Sequence, residues 1–204
     1  MLTRIADDQF SIDAESAPFA QALADHLRVS GAWLDVVPGI NSVVVQFDAG
    51  RTKADDAERL IDVAYADFEY RPTDDGPLIE IPVRYGGEDG PDLEPLCADL
   101  GISKTEFIEQ HTGQAYPVEM VGFTPGFAFI GGLPTSLHAP RRSAPRQQVP
   151  AGSVAVADSR TGLYALASPG GWNLVGRTDM TLFDPHGEDP FPISPGMRVR
   201  FVAR

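Results

Sequence analysis

Cysteine is nearly absent from this sequence, since Cys97 is the only one among its 204 residues. A single thiol excludes an internal disulfide and a zinc site made of several thiolates. The apolar pattern around it, LEPLCADL, predicts that Cys97 is buried on a helix face. The sequence also lacks an apolar run of about 18 residues, the length that a membrane helix needs. Its acidic start, MLTRIADDQFSID, has no apolar signal core. We therefore expect no membrane segment and a cytoplasmic location.

Positive charge is scarce as well. The chain has 16 Lys and Arg against 29 Asp and Glu, a net charge of −13. Such a surface repels phosphate backbones, which argues against nucleic acid as a partner. The negative charge is unevenly distributed. Residues 1–90 include 7 basic and 18 acidic side chains, whereas residues 91–204 include 9 basic and 11 acidic ones. This asymmetry, and the Gly- and Pro-rich composition of the second half, predict two domains, 1–88 and 89–204, joined at a turn-forming run over 85–91.

Hydrophobic periodicity in the first part predicts alternating strands and helices. Ser16 stands where it can cap the first helix and Thr52 where it can cap the second. Pro38-Gly-Ile-Asn41 has the composition of a hairpin turn. The order β-α-β-β-α-β is that of a ferredoxin-like domain. The predicted elements are strand 10–13, helix 17–29, strands 33–37 and 42–47, helix 52–68 and strand 78–85.

The second part begins with two predicted helices and then changes to short strands. Asp92 is placed to cap a helix that ends near Gly101, and Ser103 and Glu106 have the spacing of a capping box for the next. Turns rich in Gly and Pro then separate short β-branched and aromatic runs, which is typical of a barrel or sandwich. The predicted strands are 116–121, 128–130, 153–157, 163–167, 172–176, 181–183 and 197–202.

Standard catalytic signatures are missing. The sequence has no GxxxxGK[ST] phosphate loop and no GxSxG nucleophile elbow. Its four histidines, at positions 26, 111, 138 and 186, lack the spacing of metal ligands. These templates predict no metal site and would not by themselves identify an enzyme.

Three arginines stand close together in this acidic protein. Arg141, Arg142 and Arg146 lie within six residues, with prolines that disfavour a helix. The planar guanidinium binds carboxylates and phosphates bidentately. The cluster is therefore either an anion site or a set of ion pairs with acids of this protein or of a partner, and spacing alone does not decide. The same alternatives hold for Arg177, which follows a glycine-rich turn.

Two loops combine glycine with aromatic residues. In GFTPGF, Phe123, Pro125 and Gly126 could line a pocket whose backbone N–H groups face a ligand, although spacing alone favours a tight corner between strands. In SPGGW, the loop that begins at Ser168 and includes Gly170 either donates N–H groups or is only a turn. Ser168 has no neighbouring base, which argues against a nucleophile.

His111 lies near the end of the second helix of this part. There an imidazolium complements the helix dipole, which is the favoured, structural interpretation. A general acid or base is the alternative, because histidine titrates near neutrality.

Six segments resemble one known family in order and spacing. They are His111 with Tyr116-Pro-Val, GFTPGFAFIGGLP, PRRSAPRQQVPAGSVAVA, TGLYALASPGGWNLVGRT, LFDP and PGMRVRF. The family is that of the 5-oxoprolinase B subunit, also called allophanate hydrolase subunit 1 or the sporulation kinase inhibitor KipI. It is similar to part of the carboxyltransferase region of urea carboxylase. The resemblance spans nearly the whole chain and is most specific over 111–201. FAFI stands where the family often has a FAYL-type ending, a mild departure.

The resemblance implies an α+β fold, with an N-terminal ferredoxin-like βαββαβ domain followed by a cyclophilin-like β-barrel domain. It implies a hydrolase component that is inactive alone and pairs with a homologous C subunit, also called allophanate hydrolase subunit 2. With the A subunit, the pair converts 5-oxo-L-proline to L-glutamate, using ATP that brings its Mg²⁺. The pair of B and C subunits is expected to activate the lactam by phosphorylation, and the A subunit to open the ring.

Two other functions remain open within the same resemblance. One is a module that binds and inhibits a sensor histidine kinase, as the name KipI implies. The other is a component that processes allophanate or urea, which is weaker because this chain has no biotin attachment site or amidase segment of its own.

Site residues are carried over onto the matching motif positions. Phosphorylation of an amide oxygen needs cationic groups around the transferring phosphoryl, so the resemblance implies catalytic roles for His111, Arg142 and Arg146. The residues implied to contact substrate or anion are Phe123, Pro125, Gly126, Arg141, Ser168, Gly170 and Arg177.

Overall fold

Two compact units make up the protein, Met1–Asp75 and Gly76–Arg204. The structure, a computed structural model, describes residues 1–71 and 76–204. Each unit has a hydrophobic core of its own. Within the described ranges, no helix is both long enough and apolar enough to cross a membrane.

The first unit is an antiparallel sheet with two helices. Its elements are β1 (Leu2–Ala6), β2 (Gln9–Asp13), α1 (Ala17–Val29), β3 (Asp35–Pro38), β4 (Ser42–Gln46) and α2 (Ala54–Ala66). The four strands lie in the order β1-β2-β4-β3. Leu23 and Leu27 of α1 and Ile61 of α2 are buried with the inner sheet residues in one core, so the amphipathic pattern of both helices is explained by packing.

Capping decides where these helices begin. The Ser16 hydroxyl accepts a hydrogen bond from the backbone N–H of Phe19 at 3.3 Å, as predicted for α1. The predicted cap of α2 is wrong, because Lys53 occupies the N-cap position and makes no side-chain capping bond. The Thr52 backbone N–H is bonded to the Asp48 carbonyl instead, in the turn before the helix.

The second unit is a closed barrel with two helices and a small additional sheet. Its elements are β5 (Leu78–Tyr85), α3 (Leu93–Leu100), α4 (Lys104–Thr112), β6 (Ala115–Val121), β7 (Ala128–Ile130), a 3-10 turn (Thr135–Leu137), β8 (Arg146–Val149), β9 (Ser153–Ala157), β10 (Arg160–Leu163), β11 (Ser168–Gly170), β12 (Asn173–Arg177) and β13 (Arg198–Ala203). The barrel order is β10-β7-β6-β13-β5-β12-β9, closed between β9 and β10, while β8 pairs with β11. The predicted capping box of Ser103 and Glu106 is present at the start of α4.

One strand belongs to a different unit from the one predicted. The pattern over 78–85 assigns that strand to the first domain, but β5 pairs in parallel with β13 and antiparallel with β12 in the barrel. Its residues Ile81 and Val83 are fully buried in the barrel core, and β1 takes the fourth place in the first sheet. The units therefore divide between residues 75 and 76, not at 88, and the first unit runs β-β-α-β-β-α.

The mixed α+β architecture with a barrel is confirmed. Its closure decides between the barrel and the sandwich that the strand pattern left open. The predicted strand over 181–183 is absent, since that segment is irregular between β12 and β13. Cys97 is buried on α3, as the helix pattern predicted.

Candidate functional site

Arg142 and Arg146 converge on one buried carboxylate, that of Asp92. Arg142 Nη1 donates to Oδ1 at 2.7 Å, and Arg146 donates from Nη1 to Oδ2 and from Nη2 to Oδ1, both at 2.8 Å. The backbone N–H of Leu174 donates a fourth bond to Oδ2 at 2.7 Å. Asp92 heads α3 but makes no side-chain capping bond, so its predicted role as a cap is wrong. The carboxylate holds the two guanidinium groups in place instead, an arrangement that we call the Asp92 clamp.

The Asp92 clamp answers the question that the sequence left open for two of the three arginines. Both pair with an acid of the same chain, Arg146 in the bidentate geometry that makes such bonds strong and Arg142 through one bond. The two guanidinium groups share one carboxylate, which leaves a net positive charge. Arg142 Nε is buried and has no hydrogen-bond partner among the described residues. A catalytic role for Arg142 and Arg146 stays a prediction, and a structural role is what their bonds support.

Ser168 and Gly170, which the sequence places in a loop or turn, lie on strand β11, beside the Asp92 clamp. Gly170 is paired with Arg146 across the small sheet. A Cβ at Gly170 would overlap the Tyr164 hydroxyl, so packing alone requires glycine there. Ser168 is 7% exposed, and its hydroxyl has no hydrogen-bond partner within the described part of the chain.

Arg141 makes no bond to Asp92 and is not part of the Asp92 clamp. Its Nε donates to Asp158 Oδ2 at 3.3 Å, and its guanidinium carbon lies 6.0 Å from the ring centre of Trp172. Together with Arg142 and Asn173 it lines a mainly polar cavity of about 380 Å³. Arg141 therefore also has an acidic partner within this chain, although this ion pair is exposed.

His111 lies in the barrel interior, not beside the arginines. It is 0% exposed, its ring stacks on Phe201 at 4.4 Å, and both ring nitrogens are bonded. The Thr161 hydroxyl donates to the Ala155 carbonyl, so it accepts from His111 Nε2, at 3.1 Å. His111 Nδ1 therefore accepts a hydrogen bond from the Tyr85 hydroxyl, at 2.6 Å.

Burial lowers the pKa of His111 to about 3, so the ring is neutral at pH 7 and cannot complement a helix dipole as an imidazolium. The geometry supports a structural histidine, and the catalytic role stays a prediction.

Phe123, Pro125 and Gly126 do come together, in a recess that we call the apolar recess. It has a volume of about 560 Å³ and is lined by 121–126, 191 and 193–195. Phe123 is 67% exposed and has φ +71°, a left-handed conformation that is rare for a bulky residue. The Thr124 hydroxyl, in its wall, is buried and bonds to no described residue. Strain of this kind in an ordered loop is typical of functional sites.

Arg177 lies in a second recess, which we call the Arg177 recess. Its volume is about 330 Å³, and 151–152, 165 and 177–183 line it. Arg177 Nε donates to the Ala151 carbonyl at 3.1 Å. Neither Nη atom has a hydrogen bond or an ion pair within the described ranges. Of the four predicted arginines, Arg177 is thus the one without an acidic partner there.

The two recesses adjoin at Gly126. A Cβ at Gly126, which has φ +75°, would lie 2.8 Å from Ala165 Cβ and 2.9 Å from both the Leu182 carbonyl oxygen and Phe183 Cβ. These three residues belong to the Arg177 recess, whereas Gly126 lines the apolar one. The ring of Phe183 also packs on that of Phe191, with 5.1 Å between centroids. Glycine at 126 lets the two walls touch.

Two features of this region have no signal in the sequence. The two arginines of the Asp92 clamp follow Asp92 in the sequence by 50 and by 54 positions. No local pattern marks Asp92 as more than a helix cap. Residues 191–195 have no motif beyond proline. Among the described residues, no group of three or more His, Cys, Asp or Glu side chains is arranged to hold a metal ion.

Comparison with known proteins identifies the family. The model of the carboxyltransferase domain, subdomain C and D, matches residues 4–193. A protein named as the B subunit of 5-oxoprolinase, from Escherichia coli O157:H7, is 42% identical over 183 residues, which are 90% of this chain and 82% of that protein. The crystal structure of TTHA0988 is 37% identical with a TM-score of 0.81 over 96% of this chain, which spans only 39% of the TTHA0988 chain. Kluyveromyces lactis urea carboxylase shares the fold at 13% identity. The TM-score is 0.77, and the match covers 100% of this chain and 21% of the urea carboxylase chain. The chain belongs to the carboxyltransferase subdomain C and D family, and its relatives include proteins named as the B subunit of 5-oxoprolinase.

Proposed function

We propose that this chain is the B subunit of an ATP-dependent 5-oxoprolinase. The support is the 42% identity to a protein of that name over most of both chains, together with the shape of the apolar recess. In this proposal the chain works with a homologous C subunit and with an A subunit, and it has no turnover alone. ATP is the co-substrate and brings its Mg²⁺.

The proposed reaction has two parts. The amide oxygen of 5-oxo-L-proline attacks the γ-phosphorus of ATP, so that an O–P bond forms and ADP leaves. One water then adds to the activated ring carbon and the C–N bond breaks, which opens the ring and leaves γ-glutamyl phosphate. A second water hydrolyses this acyl phosphate, which releases phosphate and L-glutamate. The first part is assigned to this chain with the C subunit and the second to the A subunit. Preorganised cationic groups favour the first part because negative charge gathers on the transferring phosphoryl.

The observation that carries the proposal is the apolar recess with its buried hydroxyl. Its volume of about 560 Å³ is in the range of small-molecule sites. Buried hydroxyl groups nearly always have a hydrogen-bond partner, yet Thr124 has none among the described residues. A small cyclic amide would place its ring methylenes on the apolar wall and offer a polar group to Thr124. The exposed ring of Phe123 would cover such a ligand.

Reconstitution tests the proposal. The chain is mixed with the A and C subunits, and glutamate formation from 5-oxo-L-proline is measured with and without ATP. Activity should require all three proteins and ATP. Phe191→Ser, in the wall of the apolar recess, should lower kcat/KM about 10-fold or more. Val202→Ser is the matched control, since Val202 is similarly exposed but lines no part of the recess.

Three results would contradict the proposal. One is glutamate formation that does not need this chain. Another is ATP-dependent turnover of allophanate in place of 5-oxo-L-proline, which would favour the amide-processing alternative. The third is inhibition of a sensor histidine kinase by this chain without the C subunit, in the absence of any reconstituted hydrolase activity.

A further inference from the structure

The guanidinium group of the Arg177 recess has donors that no described residue accepts. Arg177 is half-buried, and its Nε bond to the Ala151 carbonyl at 3.1 Å orients the group. With Nε bonded there, the donors that remain are on Nη1 and Nη2, which make no hydrogen bond or ion pair within the described ranges. An edge of this kind matches two oxygens of a carboxylate or of a phosphate group. The recess therefore contains a binding group for an anion.

The loop that follows Arg177 adds backbone donors to the same recess. Thr181 and Leu182 both line it, and neither backbone N–H is bonded to a described residue. Leu182 is only 3% exposed, so bulk water scarcely reaches it, and buried N–H groups nearly always have a partner. The exposed hydroxyl of Thr181 is a further donor. An acceptor bound in the recess would supply the partner that these groups lack.

The acid in this recess is already engaged. Asp179 lines it, but its carboxylate is bound by both Nη atoms of Arg84. The hydrogen bond from Arg84 is the main cause of a lowered pKa of Asp179, to which Arg177 and Arg204 add. Arg84 binds Asp89 as well. The group of charges around Asp179 thus comprises three arginines and two carboxylates, an excess of positive charge in a protein whose net charge is −13.

Hydrogen bonds join the walls of the recess. The Thr178 N–H is bonded to the Gly152 carbonyl at 2.8 Å, and the Gly152 N–H to the Tyr164 carbonyl at 2.7 Å. The Thr178 hydroxyl accepts from the Met180 N–H at 3.2 Å. Gly152 has φ +80°, and a Cβ there would overlap the Thr178 carbonyl. The donors are therefore presented by an ordered pair of loops, which lowers the entropic cost of binding.

We propose that the Arg177 recess is a phosphate-binding site that is separate from the apolar recess. Two oxygens of the phosphate group accept from the Nη edge of Arg177, and the others accept from the loop N–H groups. A carboxylate has only two oxygens, both engaged by that edge, whereas a phosphate group keeps at least one more for the loop. The volume of about 330 Å³ is at the lower end of the range of small-molecule sites.

This site is additional to the proposed reaction. Gly126 is buried, and it packs so closely on Ala165, Leu182 and Phe183 that a Cβ there would lie 2.8 to 2.9 Å from their atoms. A closed wall therefore stands between the two recesses. A phosphate group at Arg177 is not the one that is transferred to a ligand in the apolar recess. Its source is either a nucleotide or free phosphate, and the probes of the test distinguish these two.

Titration of the intact chain at low ionic strength tests the inference. Two-dimensional NMR and calorimetry follow the addition of inorganic phosphate, ADP, ATP and acetate. We expect inorganic phosphate to bind and to shift the N–H signals of Thr181 and Leu182, and acetate to bind at least about 10-fold more weakly. Tighter binding of ADP or ATP than of inorganic phosphate would identify a nucleotide as the source, and equal or weaker binding would identify free phosphate.

Variants at Arg177 measure the contribution of the guanidinium group. Arg177→Gln should weaken phosphate binding about 10- to 100-fold. Arg177→Lys should restore only part of it, because lysine keeps the charge without the fork. Arg200→Gln is the control for the loss of one positive charge, since Arg200 is exposed and lines neither recess.

A second pair of variants leaves Arg177 in place. Ala151 lines the recess and its carbonyl accepts from Arg177 Nε. Ala151→Glu adds a carboxylate that competes for the guanidinium group, so phosphate binding should weaken at least about 10-fold. Ala151→Gln has the same size without the charge and should weaken it far less. Unliganded NMR spectra show whether each variant is folded.

Three results would overturn the inference. One is phosphate binding that is no weaker in Arg177→Gln than in Arg200→Gln. Another is acetate binding as tight as phosphate binding, which would make this a carboxylate site. The third is a dissociation constant for phosphate above about 10 mM in the wild-type chain. None of these measurements uses glutamate formation, so the proposed function and this site can fail independently of each other.

Discussion

Acidification should destabilise the barrel unit through His111. The imidazole is fully buried and both of its nitrogens are bonded, to Tyr85 and to Thr161. Burial lowers its pKa to about 3, whereas an imidazole in an unfolded chain has a pKa of about 6.5. Between these values the unfolded state takes up a proton that the folded state does not. Stability is therefore complete above pH 6.5 and is lost as the pH falls toward 3.

The magnitude follows from that pKa difference. Relative to pH 7.5, the free energy of unfolding should fall by about 1.4 kcal/mol at pH 5.5 and by about 2 kcal/mol at pH 5.0. Ordinary carboxyl groups have pKa values near 4 and titrate little above pH 5.5. The window from pH 7.5 to 5.5 therefore reports mainly on histidine.

Urea denaturation followed by tryptophan fluorescence measures this effect. Trp33 is in the first unit and Trp172 in the second, so a Trp33→Phe background reports on the barrel unit alone. In that background, His111→Gln should be less stable at pH 7.5, by about 2–4 kcal/mol, and should lose the decline at pH 5.5. His186→Gln is the control, because His186 is exposed, and it should keep the decline.

Two results would refute this reasoning. One is an unchanged pH dependence in His111→Gln. The other can be read from the wild-type protein alone, so it does not depend on the folding of the variant. It is an NMR shift of the His111 ring protons between pH 7.5 and 5.5, which would show that the buried ring titrates normally.

Three further predictions concern the Asp92 clamp and the recesses. Asp92→Asn should lower the free energy of unfolding by about 3 kcal/mol or more, because it breaks a buried ion cluster. Asp179→Asn is the control and should lower it by at most about 1 kcal/mol, since that carboxylate is 76% exposed. Equal losses in the two variants would contradict the structural role of the Asp92 clamp. Gly126→Ala should cost about 2–4 kcal/mol, from positive φ and overlap together, and Gly101→Ala, with positive φ but open space, about 1 kcal/mol. Phe123→Gly should leave the free energy of unfolding within about 1 kcal/mol, because strain relief offsets the lost ring, while it lowers reconstituted glutamate formation. Unchanged activity would mean that the exposed ring has no part in the site.

Local patterns predicted the elements of this fold better than their pairing. The Ser16 cap and the Ser103–Glu106 box are found where the sequence placed them, because a cap depends only on residues three positions apart. The alternation around Ile81 and Val83 correctly indicated a strand. That strand pairs with β13, more than a hundred residues later, and an alternating pattern contains no information about its partner.

The candidate site was predictable in its position and not in its roles. The resemblance pointed to the motif-rich half of the chain, where both recesses lie. The sequence could not tell which arginine has an acid beside it, because Asp92 reaches Arg142 only through the fold. It also could not show that His111 is buried, since an imidazole near a helix end has the same sequence context whether it faces water or the core.

A binding site needs polar groups that have no hydrogen-bond partner in the folded protein. This requirement separates the candidate site residues into structural ones and ones that are available to a ligand. The ring nitrogens of His111 and the Asp92 carboxylate have full sets of partners, so a ligand would have to displace bonds that hold the barrel together. Arg146 is similarly committed through its bidentate pair. Arg177 has two Nη atoms that no described residue bonds, and Phe123 combines a left-handed backbone with a ring that stays exposed. Substitutions at Arg177 and Phe123 should therefore impair function at little cost in stability, and substitutions at Asp92 and His111 should impair function only as far as they unfold the protein.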